Sequence, residues 1–223
     1  MDDLGIDIPR TARAIKLKGP LTLSFMTYAT KLDKQTKAAR NAGHELWMHI
    51  PMEPGSPDID PGPNVLLTGL PKEELRASIF WHLNQFSGHV GINNHMGSRF
   101  TTDETAMALV LAEVQERGLL FVDSRTASDS VGERLARALG VPTLRRDVFL
   151  DNDADGVRIG MQLDALERHA RDHGYAIDIA HPRPETIEVL SRWLSNVARR
   201  GFVLVPISTI AARDQGTEMA AGE

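Results

Sequence analysis

Short apolar runs rich in β-branched residues alternate along this chain with longer segments whose apolar positions recur every three or four residues, the pattern of repeated βα units. Strands are expected at 21–26, 44–49, 90–93, 119–122, a broken run at 143–144 and 148–150, then 176–180 and 202–207. Helices are expected over 34–41, from Pro71 with Glu73 and Glu74 in the first turn, from Thr102 or Asp103 to Arg117, and over 128–139, 156–173 and 185–200. Gly43, Gly118, Gly140, Gly174 and Gly201 stand where these helices should stop. About seven strands with interleaved helices exceed what a small open sheet needs and predict closure into an α/β barrel.

The polar residues gather meaning on that scaffold. His49 ends one strand, His95 lies just past the next, Asp123 follows Val122 and His181 follows Ala180. In parallel βα architectures the C-terminal strand ends converge on one face, which hosts the chemistry. Convergence of His, His and Asp suits a hard-to-borderline divalent cation with an open position for water. Asp2 and Asp3 at the start offer a division of labour, one carboxylate holding a cation and its neighbour taking a proton. The run Asn93-Asn94-His95-Met96-Gly97-Ser98-Arg99 is denser in polar groups than a simple reversal of direction requires.

Composition narrows the classes. The chain has 223 residues, 42% hydrophobic, enough for one large domain, read as 1–212 with a small polar tail at 213–223 expected to fray. The segment 53–63 carries four prolines and reads as an ordered surface loop. A net charge of -5 and the absence of a long basic run argue against nucleic acid or an anionic membrane as partner, and no apolar stretch is long enough for a membrane span. Zero cysteines exclude disulfides and thiolate zinc sites, so any metal must use His, Asp or Glu.

Six motifs then combine: Asp2-Asp3-Leu4-Gly5, the run 43–54 from Gly43 through His49 and Glu53 to Pro54, the run 93–101, Asp123-Ser124-Arg125-Thr126, the run 146–152, and His181-Pro182. In this order they resemble the divergent polysaccharide deacetylase family. The resemblance implies a distorted (β/α) barrel of the NodB-like carbohydrate esterase superfamily, holding a divalent metal, most commonly zinc. It implies Asp2 as catalytic base, Asp3 and His49 as metal ligands, and His181 as the general acid. The ordinary family has a second histidine where Glu53 stands here, so the remaining ligand is either Glu53 or His95, with His95 favoured because Asn94 and Ser98 flank it. Glu53, Asn94, Arg99 and Asp123 are then expected to bind substrate or support the ligands. The family's first strand ordinarily precedes the Asp pair, and is expected to be missing from this chain through truncation.

The implied activity is metal-dependent removal of an acyl group from an N-acetylated amino sugar in a cell-envelope polysaccharide, with a periplasmic or other extracytoplasmic location. The alternative is a non-catalytic envelope protein that binds a glycan or partner and keeps the metal for stability. Other features read as structure. Arg99 pairing with Asp103 stands level with substrate binding, and Asp123–Thr126 as a capped turn stands level with a site. Asp151 to Gly156 resembles the start of a calcium loop but has Gln162 where the closing Glu belongs, so a turn and helix cap is expected. His169 and His173 are expected to be solvated, and Trp47, Trp81 and Trp193 to pack.

Overall fold

The computed structural model describes the backbone of residues 1–221 and the side chains of residues 1–214. A parallel sheet in the order β1-β2-β3-β4-β5 comprises β1 (Thr22–Met26), β2 (Glu45–Met52), β3 (Gly91–Met96), β4 (Leu120–Asp123) and β5 (Thr143–Arg145). A second parallel pair joins β6 (Val148–Phe149) to β7 (Asp178–Ile179). Eight helices accompany them: α1 (Ile8–Ile15), α2 (Leu32–Asn41), α3 (Lys72–His82), α4 (Glu104–Glu116), α5 (Gly132–Ala138), α6 (Gly156–His173), α7 (Pro184–Leu194) and α8 (Ile207–Ala221). Strands β1 to β4 are buried almost throughout, as parallel strands covered on both faces must be.

The segment 1–4 joins the two sheets. Ser24 N–H donates to Met1 O, Leu4 N–H to Ser24 O and Met26 N–H to Leu4 O, while Asp2 N–H donates across to Ala180 O just beyond β7. The place of a strand between β1 and β7 is therefore taken by the residues that carry the Asp pair. The barrel stays open between β5 and β6, where only Arg146 and Asp147 intervene. There Arg146 donates from Nε to Ser124 O at 2.8 Å and from Nη2 to Arg125 O at 2.9 Å beyond β4, and its guanidinium lies 5.0 Å from the ring centre of Phe149 in β6.

One apolar core lies under the five-stranded sheet, around Phe25, Met48, Ile50, Phe100 and Phe121. Another, around Leu150, Ile159, Leu163, Ile187 and Leu190, binds β6 and β7 to α6 and α7. Trp47 is buried, as expected, with Nε1 donating to Glu45 Oε1 at 2.8 Å.

One expected strand is absent and one helix was unforeseen. The strand at 202–207 does not form: Pro206 has no N–H to offer a ladder, 202–205 is irregular, and Ile207 begins α8, its N–H donating to Thr22 Oγ1. Helix α8 is described as far as Ala221, and the last two residues of the 213–223 tail expected to fray, 222 and 223, lie outside the described residues. Helix α1 had no counterpart in the pattern, although Asp7 caps it by accepting from Arg10 N–H and a proline stands in its first turn.

His82, given no role from sequence, pins the proline-rich loop to the end of β1. It is fully buried, with Nε2 2.7 Å from Asn64 O and Nδ1 2.7 Å from Thr27 Oγ1. A carbonyl only accepts, so Nε2 carries the hydrogen and Nδ1 accepts from the Thr27 hydroxyl. Burial pushes the imidazole pKa down to about 4 against the partial support of the Asn64 carbonyl. The unfolded chain binds a proton here below its own pKa near 6.5 and the folded one does not, so stability falls as pH drops through that window to about 4. Denaturant unfolding at pH 7 and pH 4 should show a loss of about 3 kcal/mol from this group. A His82→Gln protein should lack that increment.

Candidate metal centre

The strand register builds the site. Met26, His49, Asn93 and Val122 form one row across β1 to β4, with His95 two residues further along β3. Asp3 arrives from the joining segment in the left-handed conformation, φ 55°, which Asp adopts more readily than most residues. Its Oδ1 lies 3.3 Å from His49 Nε2 and 2.8 Å from His95 Nδ1. That oxygen is buried and has no donor at hydrogen-bonding geometry. One carboxylate oxygen and two ring nitrogens, all within 4.8 Å of one another, form the group among the described residues that could hold a metal ion.

The electrostatics match such a role. Burial opposes ionisation of Asp3, but the His49 and His95 imidazoles outweigh it and hold the carboxyl well below the ordinary range. Burial likewise opposes protonation of His49, and Asp2 and Asp3 outweigh it, raising its pKa. A divalent cation could replace that proton and satisfy the orphaned Oδ1.

Asn93 fixes the ligand's tautomer. The Asp2 carboxylate can only accept, so the group facing its Oδ2 at 2.7 Å must be the Asn93 amide NH₂. Asn93 Oδ1 then faces His49 Nδ1 at 2.9 Å, which must carry the hydrogen. In the neutral ring Nε2 is left with its lone pair toward Asp3 and His95. Asn93→Ala is expected to weaken zinc binding about tenfold or more in chelator competition, the range for residues that orient a ligand.

The remaining expected residues separate by task. Asp2 is buried, with Oδ2 3.8 Å from His49 Nε2. His181 Nε2 lies 3.8 Å from Asp3 Oδ2. Glu53 is turned away: Oε2 accepts from Thr68 N–H and Oγ1, and Oε1 faces Arg99 Nη1 at 3.2 Å. Arg99 thus pairs with Glu53, while Asp103 caps α4. Asn94 is buried, accepting from Ser124 N–H and donating to Met96 O, so it ties the ends of β3 and β4. Asp123 accepts from Arg125 N–H and Ser130 Oγ, organising the loop after its own strand.

Asp151 is the residue that the sequence reading missed. It is wholly buried, with Oδ1 2.8 Å from His181 Nδ1 and Oδ2 accepting from His181 N–H and Thr186 Oγ1, both at 2.8 Å. Burial opposes its ionisation, but these bonds and the His181 charge prevail and its pKa is lowered. The carboxylate keeps hydrogen on Nδ1 and aims Nε2 at the centre. Its signal was available: Asp151 directly follows Leu150 beyond β6, the same strand-end position as the other site residues. The acidic run that follows obscured it, and Asp155, not Asp151, caps α6. Tyr28 stands at the mouth, where burial and the charges of Asp3 and Asp60 raise its pKa, and Gly62 of the proline-rich loop closes against its ring.

The model of the family described as divergent polysaccharide deacetylase matches residues 1–211. The chain belongs to that family. Within it, an uncharacterized protein of Haemophilus influenzae is 32% identical over 198 residues, covering 88% of this chain and 70% of the relative. The uncharacterized protein YibQ of Escherichia coli K12 is 29% identical over 197 residues, and the match spans 61% of its length. The crystal structure of an uncharacterized protein from Agrobacterium tumefaciens C58 superposes with a TM-score of 0.90 at 32% identity, covering 93% of this chain and 85% of that one. The architecture is accordingly the NodB-like α/β barrel expected for divergent polysaccharide deacetylases.

Proposed function

We propose that this divergent polysaccharide deacetylase is a metal-dependent hydrolase that removes an acyl group from an N-acetylated amino sugar of a cell-envelope polysaccharide. The observation that carries the reading is the orphaned Asp3 Oδ1 between two imidazole nitrogens, with Asp2 near His49 and the His181–Asp151 pair near the other Asp3 oxygen. Asp3, His49 and His95 would hold the ion, and a nitrogen, nitrogen and oxygen donor set with open positions favours zinc. When bound, the ion supplies Lewis acidity that polarises the amide carbonyl and eases deprotonation of water.

The chain's own residues supply the proton transfers. Asp2 is a carboxylate excluded from bulk water, its Oδ2 held by the Asn93 amide NH₂, and it serves as general base. His181 can present a proton from Nε2 to the departing amine because Asp151 holds Nδ1–H and stabilises the positive ring. The base and the acid are different groups, Asp2 beside His49 and His181 beside Asp3, so the proton taken from water and the proton given to the amine pass through separate side chains. Tyr28 and the loop through Gly62 shape the entrance.

The deciding measurement is acetate release from N-acetylglucosamine oligomers by the metal-loaded protein, the chelated protein and the chelated protein given zinc. Release that disappears on chelation and returns with zinc supports the reading. Full zinc occupancy without release from any acylated glycan supports instead a glycan-binding envelope protein with a structural metal.

A further inference from the structure

Charge is unevenly spread over this net-negative chain. Residues 7–41 carry eight cations and two acids, so the segment is positive by six while the remainder is negative by eleven. Five of the six lysines, Lys16, Lys18, Lys31, Lys34 and Lys37, fall within it. Helices α1 and α2 pack against each other, and these five lysines and Arg13 are all exposed on them or at their ends. Arg10 pairs with Asp7, and Arg40 donates to Ser87 O. Arg13 and the five lysines have no ion pair or side-chain hydrogen bond among the described residues. Elsewhere several arginines are paired instead: Arg76, Arg134, Arg145, Arg158 and Arg192 each face a carboxylate.

We propose that the outer face of α1 and α2 docks on a bilayer carrying acidic phospholipids. Six unpaired cations gathered on this helix pair and its ends repel one another, and an anionic surface relieves that repulsion and gains attraction from those that reach it. Lysine ammonium groups act as mobile point charges suited to fluid headgroups, whereas fixed phosphates and carboxylates are better met by arginine forks. The face offers no aromatic platform for a sugar ring, since Phe25 is buried and Tyr28 belongs to the mouth of the site. Just before and at the start of α1, Ile6 and Ile8 are 54% and 36% exposed, offering the apolar contact that a polybasic patch needs for stable membrane attachment. The chain's overall charge concealed this face by averaging over it. Since α1 starts five residues after Asp3, docking would hold the mouth of the site beside the bilayer.

The test is co-sedimentation of the full chain with vesicles of phosphatidylcholine alone and of phosphatidylcholine with one-third phosphatidylglycerol, at low and high salt. Binding is expected to the acidic vesicles only and to fall steeply with salt. Lys16→Glu, Lys34→Glu and Lys37→Glu combined should weaken it at least tenfold, while Lys72→Glu with Arg168→Glu, exposed cations outside the face, should not. Matching thermal melts show that the substitutions leave the fold intact. No binding to acidic vesicles at low salt, or equal weakening by both sets, overturns the proposal. So does retention of the protein by an acidic polysaccharide through the same lysines while vesicles are ignored.

Discussion

Asp3→Asn is expected to leave the protein folded while lowering its zinc affinity by more than the ten- to hundredfold typical of a residue that merely orients a ligand. The substitution preserves shape and removes one charge. Asp3 Oδ1 is the point on which His49 Nε2 and His95 Nδ1 converge at 3.3 and 2.8 Å, so a neutral amide oxygen there loses both the attraction to the cation and the reason for the two rings to face inward. Competition with a chelator at pH 7 reads the affinity. A second consequence follows in the metal-free protein. The His49 pKa, held up by Asp2 and Asp3 against burial, should fall when one of those carboxylates is neutralised, which histidine ring resonances followed by NMR would register. Unchanged affinity would remove Asp3 from the metal centre.

Asp2→Asn is expected to do the opposite, keeping the metal and losing the reaction. Asp2 is not within the converging triad, and an asparagine can still accept the Asn93 hydrogen bond through its amide oxygen. What it cannot do is take up a proton. Loss of a general base lowers turnover by roughly 10²- to 10⁴-fold, and the zinc content measured alongside should remain that of the parent. Turnover within about threefold of the parent would exclude Asp2 as base, since even a weak contribution of this kind exceeds that. The two variants therefore separate holding the ion from using it, although their side chains belong to adjacent residues.

Much of this arrangement was legible because it depends on periodicity. Strands that alternate with helices must run parallel, so His49, His95 and His181 had to meet at one end whatever the details of the loops. Pairings that depend on orientation were not legible. The Asp151 contact with His181 crosses thirty residues and lies in an acidic run that reads as a turn, and the role of Asn93 is set by what stands on both sides of its amide. The apolar stretch 202–205 has the composition of a strand, but composition does not say whether a partner edge is free to receive it. Helix α1, two turns long, is too short for its period to stand out.

The joining segment 1–4 gives the molecule an economy with a practical edge. The same few residues hydrogen-bond β1 on one side and the end of β7 on the other, and present both carboxylates of the centre. An ion held by Asp3, His49 and His95 would fasten the joining segment to β2 and β3, and the segment in turn hydrogen-bonds Ala180 beyond β7, so metal affinity and the hold of this segment are thermodynamically linked. A melting curve taken against zinc concentration would then serve as a binding isotherm, and damage to the segment away from the ligands would show itself first as a leaking of metal.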